Sequence, residues 1–483
     1  MNFTWLQEHA LVIAFYIGVA LLIYFNKKKF EFQGIVALIK TKIGIKQMQK
    51  FATPLPEKKD KTGKKIFQIS LSIMIISLFF IFLQILTNIT QKNQTIYTLT
   101  LITLLASFLA LCIAIVFYRQ IKSAGTFGIW IGFIGMIAML SLIFVGLYQL
   151  IFVPTAPPMF APVLPGISIP GSPFKLPLFE GLIALLVVVA IHEFAHGVVS
   201  KAYKIPIKSS GFVMFGPLPG AFVEPDEEKL KKAPPKTQLS IYAAGPLSNM
   251  LLAGVIFTLM IIMTSFVSTA LYEQNIDAIK IEDLMKLDDI EERGITNLKR
   301  GEIILGINNQ TLKEIREELQ QQNITIINGR HALVYTIQQE FKPGDEIIFQ
   351  TNKGEKTIIL GQDKENETSP IIGVYLDNVV EPKTNISSNK TFTTIYFWLF
   401  GNPYSTSLNQ GLGLISLIFV LSFGIGLVNL LPAGPLDGGR MFFLVLRKKF
   451  NTKKSTKILS LISNLLFLLV IILIFVPIIK ALI

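Results

Sequence analysis

Long apolar runs separated by short polar segments dominate the hydrophobic pattern of this chain. A helix crosses the hydrocarbon core of a bilayer with about 20 apolar residues, and most of these runs reach that length. Short alternating patterns, which are typical of strands, are concentrated in one internal segment. The pattern predicts eight membrane-spanning helices, at about residues 10–25, 67–87, 97–118, 127–152, 179–200, 239–268, 411–436 and 457–480.

The internal segment 271–388 differs from the rest of the chain. Short apolar runs, such as those within 302–309 and 345–350, are bounded by Gly and Asn, as strands and their turns are. A helical stretch lies near Leu312–Gln321. We therefore predict an α-helical polytopic membrane protein of about eight transmembrane helices, with a small α+β soluble domain inserted between two of them.

Two shorter segments are apolar without resembling a membrane span. In residues 31–51, apolar positions recur among lysines, which favours a helix on the cytosolic membrane surface or a helix packed on the bundle. In Gly211–Glu224, an apolar run carries Gly and Pro, which favours a β-like loop after the fifth span. A plain cytosolic loop is the alternative for this second segment, because apolar β-like runs are not specific.

Composition and charge support the membrane class and indicate its sidedness. Of 483 residues, 51% are hydrophobic and 16% are charged, and the mean hydropathy is +0.55. Segment 26–66 has twelve lysines and three acids, whereas segment 271–390 has fourteen Lys and Arg and twenty-one acids. Because basic loops stay cytosolic, we predict a multi-pass cell-membrane protein whose N-terminus and inserted domain are extracytosolic. The lysines also favour membrane lipid as a partner, and no nucleic-acid motif accompanies them.

The fifth apolar run contains the sequence His-Glu-x-x-His at His192, Glu193 and His196. On a helix, the two histidines lie one turn apart on the same face, which is the spacing that binds one zinc ion. Glu193 lies beside them, where it can take a proton from an attacking water. A catalytic zinc needs a third protein ligand. The single cysteine of the chain, Cys112, leaves no cysteine zinc site.

A census of carboxylates narrows the search for that third ligand. The predicted spans and their ends hold Glu180, Glu193 and Asp437. Glu180 is twelve residues from His192, about 18 Å along a helix, so it cannot share the metal. Asp437 remains, and the charge-derived topology places it and His192 toward the same, cytosolic face. Prolines and glycines in Asn429–Arg440 break the helix, and such backbone at membrane depth is buried in protein or lines a wet cavity.

Taken together, these motifs resemble the site-2 protease family of intramembrane metalloproteases. His-Glu-x-x-His is followed far downstream by Asn-x-x-Pro-x-x-x-x-Asp-Gly-Gly, which starts at Asn429. Gly245–Asn249 is similar to the Gly-Pro-x-x-Asn motif of that family, and the sequence from Arg293 to Asn308 is similar to the start of a PDZ domain. The resemblance covers roughly residues 125–483.

The resemblance implies one zinc ion per chain, bound by His192, His196 and Asp437, with Glu193 as the catalytic carboxylate. It implies that Asn429 and Asn249 orient the substrate or stabilise the oxyanion. The segment from Gly211 is similar to the re-entrant β loop of the family, and we predict that it pairs with an unwound substrate as an added strand. The predicted substrate-binding residues are Asn249, Gly211, Phe212, Val213 and Phe222.

The predicted organisation has four parts. Residues 1–125 form an N-terminal transmembrane region of three spans with a basic cytosolic loop, and 126–270 form the first part of a catalytic membrane core. Residues 271–388 form an extracytosolic PDZ-like domain, and 389–483 complete the core. The predicted function is a zinc-dependent intramembrane endopeptidase that cleaves transmembrane segments, so its partners are helical membrane proteins and lipid.

Three other functions compete with this prediction. A transporter or channel would place acids along a pathway, whereas here they cluster at one site. A non-catalytic scaffold that binds transmembrane helices or ions would not need Glu193. A membrane metalloprotease of the prenyl-protein type would use a downstream Glu as third ligand, and the predicted spans after residue 200 contain none.

Overall fold

The computed structural model describes most of the chain, and the chain divides into two compact units. One unit comprises Met1–Met260 with Leu414–Ile483, and the other comprises Ile261–Gly413. The described residues are 3–34, 36–86, 94–153, 159–167, 176–216, 218–263, 269–284, 290–292, 298–326, 328–363, 368–384, 386–401 and 413–482.

The first unit is mostly helical and carries one small sheet. Before the insertion its helices are α1 Phe3–Phe25, α2 Ile45–Ala52, α3 Glu57–Leu86, α4 Gln94–Val116, α5 Ile121–Phe152, α6 Leu178–Ala202, α7 Glu227–Lys232, α8 Pro235–Tyr242 and α9 Ala244–Ile262. Its strands are β1 Glu31–Gln33, β2 Val36–Thr41, β3 Ile207–Phe215 and β4 Leu218–Pro225.

The second unit, in the middle of the chain, is rich in strands. Its strands are β5 Tyr272–Leu284, β6 Ile290–Glu292, β7 Ile303–Ile307, β8 Gln310–Thr311, β9 Glu346–Thr351, β10 Gly354–Ile359, β11 Gly361–Asp363, β12 Pro370–Ile371 and β13 Val374–Pro382. Its helices are α10 Thr269–Leu271, α11 Leu312–Gln321, α12 Gly329–Glu340 and α13 Lys390–Phe400. The chain then returns to the first unit with α14 Leu414–Val428, α15 Asp437–Lys449 and α16 Thr452–Leu482.

Six helices in the described part of the chain are long and apolar enough to cross a membrane. Two further apolar helical segments, Ala10–Phe25 and Leu414–Val428, are shorter than a full span. Eight spans were predicted, and three of them, 67–87, 239–268 and 411–436, extend at one end beyond the described residues. The six are Glu57–Gln84, Thr98–Val116, Ile121–Phe152, Leu178–Ala202, Ala244–Ile262 and Thr452–Lys480.

The small sheet of the first unit corrects the prediction for residues 31–51. Its strand order is β1-β2-β3-β4, with every pair antiparallel. A helix over all of 31–51, whether on the membrane surface or packed on the bundle, is wrong: only α2 is helical there, and it packs on α6. Strands β1 and β2 form a hairpin with Gly34 in its turn, where φ is 63°. Apolar residues spaced among lysines fit a strand as well as a helix, and pairing with β3 decides between them.

Helix α6 occupies a central position in this unit. It packs against β4, α2 and α14. Met48 of α2 lies against Gly197, where a side chain on Gly197 would collide with its sulfur, and the Phe51 and Phe194 rings meet edge to face at 5.9 Å. The N-terminal segment therefore packs directly on the turn of α6 that carries the histidine motif.

The second unit is built around a sheet in the order β10-β9-β7-β5-β13, with β8 paired to β7, and a smaller sheet β12-β11-β6. Helix α11 has the predicted bounds and begins with a capping box between Thr311 and Glu314. Glu302 of this unit is buried, and burial alone would raise its pKa. An ion pair with Lys356 and a hydrogen bond from the Lys299 backbone N–H outweigh that effect, so the pKa of Glu302 lies below its usual value. Residues 293–297 of the PDZ-like motif lie outside the described part of the chain.

Candidate metal centre

Two histidines of α6 and an aspartate far along the chain meet in the first unit. Nε2 of His192 lies 3.1 Å from Oδ2 of Asp437, and Nε2 of His196 lies 3.2 Å from the same oxygen. The two Nε2 atoms are 3.2 Å apart. The side chains of His192, His196 and Asp437 are 7%, 12% and 11% exposed, so the cluster is largely shielded from solvent.

The local fold explains how Asp437 reaches helix α6. Helix α14 ends at Val428, and the chain then turns back tightly, with the Gly438 N–H donating to the Asn429 carbonyl at 2.8 Å. A Cβ on Gly438 would lie 2.2 Å from the Leu430 carbonyl oxygen, so the turn requires glycine there. Helix α15 begins at Asp437, which is thereby held at the end of the non-helical segment.

The residues around the cluster leave room for a metal ion. Gly245, in the first turn of α9, faces the two rings, and a Cβ there would lie 2.4 Å from Nε2 of both His192 and His196. These ligand atoms all lie within 4.8 Å of one another. Two imidazole nitrogens and one carboxylate oxygen match the three protein ligands of a catalytic zinc site. The three residues thus form a group that could hold a metal ion.

A backbone contact defines the role of each nitrogen in His196. Nδ1 of His196 lies 2.7 Å from the Ile241 carbonyl oxygen. Because a carbonyl can only accept a hydrogen bond, this Nδ1 carries the proton, and in the neutral ring Nε2 then keeps its lone pair toward the cluster. Partners of this kind orient the ligands of metal sites.

Glu193 points to the sheet. Its Oε2 accepts a hydrogen bond of 3.0 Å from the backbone N–H of Val223 in β4. Val223 was not among the predicted site residues, because its contact is made by the backbone N–H, a group that nearly every residue type has. Since the N–H of Val223 is directed at Glu193, it lies on the edge of β4 that faces away from β3.

The predicted substrate strand is fully integrated in the sheet. Gly211, Phe212 and Val213 pair on one side with β2 and on the other with β4, and Phe222 of β4 pairs with Gly211. A Cβ on Gly211 would lie 1.9 Å from the Ile39 carbonyl oxygen, so β2 approaches closely at this position. Both backbone edges of β3 are therefore occupied, and among the described strands the edge next to Glu193 belongs to β4.

The two predicted asparagines occupy different environments. Asn429 is half-buried at the end of α14, and its carbonyl bonds the residue that follows Asp437. Asn249 of α9 is fully buried, and its Nδ2 lies 3.2 Å from Nδ1 of His192. The structure thus places Asn249 against a predicted metal ligand. The contribution of Gly245 could have been read from its place in the Gly-Pro-x-x-Asn motif, four residues before Asn249.

Comparison with known proteins points to one family. The sequence model of Peptidase family M50 matches residues 180–473, which include all three residues of the cluster. An uncharacterized protein of the archaeon Methanocaldococcus jannaschii is 27% identical over 304 residues, which cover 60% of this chain. The matched region spans 64% of the length of that relative, slightly less than two thirds.

Proposed function

The chain belongs to peptidase family M50, and we propose that it is a zinc-dependent intramembrane endopeptidase of the site-2 protease type. Its substrates are transmembrane segments of other membrane proteins. One observation supports this function above the others: His192, His196 and Asp437 converge on a helix that is long and apolar enough to cross a membrane. A hydrolytic site at such a helix acts on bonds that lie within the membrane.

The protein residues divide the chemical work. His192, His196 and Asp437 hold zinc, which when bound supplies Lewis-acid activation of the scissile carbonyl and of the attacking water. Glu193 accepts the proton of that water and passes it to the leaving amine. Asn429, beside the turn into Asp437, donates a hydrogen bond to the oxyanion.

The sheet provides the platform for the substrate. A helical substrate hides its peptide carbonyls, so it must unwind before cleavage, and an unwound segment can add to a sheet edge. Because β3 is paired on both sides, the substrate adds along β4, with Gly211, Phe212 and Val213 behind it and Phe222 in the strand that it joins. A substrate carbonyl that pairs with Val223 takes over the N–H that Glu193 uses, and the carboxylate is then free for proton transfer.

The remaining parts have supporting roles. The second unit is a PDZ-like extracytosolic domain that selects substrates by size or sequence. Its composition is acidic, whereas the basic segment 26–66 stays on the cytosolic side near anionic lipid. The metal centre then lies toward the cytosolic face of the membrane.

The test is cleavage of a model transmembrane substrate by the purified full chain in detergent. We expect Glu193→Gln to retain zinc and to lose cleavage. Glu180→Gln makes the same chemical change near the start of the same helix, and we expect it to cleave like the wild type. Equal cleavage by wild type and Glu193→Gln rejects the mechanism. Zinc and substrate binding without cleavage by the wild type would favour a non-catalytic helix-binding protein.

A further inference from the structure

The two histidines of the metal centre each direct one ring nitrogen into the cluster and the other away from it. The outward nitrogen is Nδ1 in both rings. In His196 it meets the Ile241 carbonyl oxygen at 2.7 Å, and in His192 it meets the Asn249 amide at 3.2 Å. The outward nitrogen therefore faces an oxygen in His196 but an amide nitrogen in His192.

This difference matters because a neutral imidazole carries one proton. His196 donates from Nδ1 and keeps the Nε2 lone pair for a metal. If the Asn249 NH₂ donated to Nδ1 of His192, the ring proton would sit on Nε2, and that nitrogen could not bind a metal. In that arrangement Asn249 Oδ1 is also buried without a hydrogen-bond partner among the described atoms.

A half rotation of the Asn249 amide changes this arrangement. The two ends of a primary amide have nearly the same shape, so the rotation needs little additional space. Oδ1 then faces Nδ1 of His192 and accepts a hydrogen bond from its N–H, while the NH₂ group takes the position that Oδ1 leaves. Nε2 of His192 then keeps its lone pair toward Asp437. The two histidines then have the same tautomer, which is the one that two rings with Nε2 directed at one ion need.

The surroundings of Asn249 suit a fixed acceptor. The residue is 0% exposed, and its backbone carbonyl accepts a hydrogen bond of 2.9 Å from the Ser422 hydroxyl of α14. Gly426 of α14 leaves just enough space for it, since a Cβ on Gly426 would lie 3.0 Å from the Asn249 Cβ. Asn249 is thus held between α6 and α14, and it has no exposed surface to offer to a substrate.

We propose that Asn249 is a positioning residue for the metal centre: its amide oxygen accepts a hydrogen bond from the Nδ1–H of His192 and so keeps Nε2 available to zinc. This proposal rests on the zinc site of the proposed function. Asn249 then orients a metal ligand and does not bind the substrate, in contrast to the expectation from the sequence.

Zinc affinity tests the proposal without any need for catalysis. The full chain in detergent is titrated against a competing chelator as wild type, Asn249→Leu and Asn249→Asp. Leucine keeps the branched shape and removes the acceptor, and we expect about 10- to 100-fold weaker zinc binding. Aspartate keeps an oxygen acceptor, and we expect its affinity to stay within a few-fold of wild type. Thr258→Val is the control, because it removes a buried hydroxyl from the same helix. That hydroxyl donates to the Gly254 carbonyl and not to a metal ligand.

The outcomes separate this proposal from the proposed function. Wild type that binds no zinc overturns both. Tight zinc binding by wild type and by Asn249→Leu alike overturns only the positioning role. Equal weakening in Asn249→Leu and Asn249→Asp also overturns it, since packing and not the acceptor would then be responsible.

A second measurement uses the wild-type sequence around the site and so does not depend on how a variant folds. The chain has only four histidines, so ¹⁵N-histidine NMR of the zinc-loaded protein gives few signals, and His9→Gln and His331→Gln remove the two outside the motif. We expect protonated Nδ1 and zinc-bound Nε2 in both remaining rings. Zinc bound through Nδ1 of His192, or a proton on its Nε2, would overturn the proposal.

Discussion

The metal centre and the edge of β4 lie next to each other but are built from different parts of the chain. The centre consists of side chains, the imidazoles of His192 and His196 and the carboxylate of Asp437. The β4 edge consists of backbone groups, of which the Val223 N–H contacts Glu193. Side chains can be changed one at a time, whereas an edge depends on the pairing of a whole sheet. Glu193 touches the edge and belongs to the same helix as the histidines, so it links the two regions.

The largest expected effect comes from filling the space beside the metal ligands. Gly245→Ala places a Cβ 2.4 Å from both Nε2 atoms, so we expect loss of stoichiometric zinc and of cleavage. Gly424→Ala is the matched control, because no heavy atom lies within 4 Å of its added Cβ. Metal analysis measures the zinc content of each variant, and the cleavage assay measures its activity. Normal zinc content in Gly245→Ala would show that the ion binds elsewhere.

An intermediate effect is expected from removing one hydrogen bond at the edge. Val223→Pro has no N–H to offer to Glu193 or to a substrate, so we expect kcat/KM to fall about 10- to 100-fold, the loss of a hydrogen bond to a charged group. Zinc affinity should not change. Val223→Ala keeps the N–H and should cleave nearly as wild type does. Equal losses in the two variants would mean that the side chain matters and the backbone group does not.

The smallest effect on chemistry is expected at the far side of the sheet. Gly211→Ala brings a methyl group against the Ile39 carbonyl and should loosen the β2–β3 pairing, at a cost of about 1–3 kcal/mol in the free energy of unfolding. Thermal unfolding measures this cost. Zinc content should stay normal and cleavage should fall only a few-fold. Loss of zinc in this variant would show that the sheet and the metal centre are not independent.

The same contrast explains what could be predicted from the sequence. The spacing of His192 and His196 and the scarcity of intramembrane carboxylates identified three residues that the structure brings together, because these side chains are explicit in the sequence. The strand character of residues 31–41 was missed, since it depends on pairing such as that of Ile39 with Phe212, which lies far along the chain. Local apolar spacing contains no information about such a distant partner.

The position of Asn249 shows a further gap of this kind. The family resemblance of its motif implies that Asn249 orients the substrate or stabilises the oxyanion. In the structure, Asn249 is buried, and its amide lies against Nδ1 of His192. A motif thus identifies which residue matters more readily than it identifies what the residue touches.

The hairpin at residues 31–41 lies outside the region 180–473 that matches the family, yet it completes the sheet on which the proposed cleavage depends. A shortened chain that started at residue 180 would keep the histidine motif and leave β3 with a bare edge. Bare edges recruit foreign strands, so such a fragment would tend to self-associate or to accept peptides on the wrong side of the sheet. Preparing this protein for study therefore calls for the leading 179 residues as well as the region that matches the family.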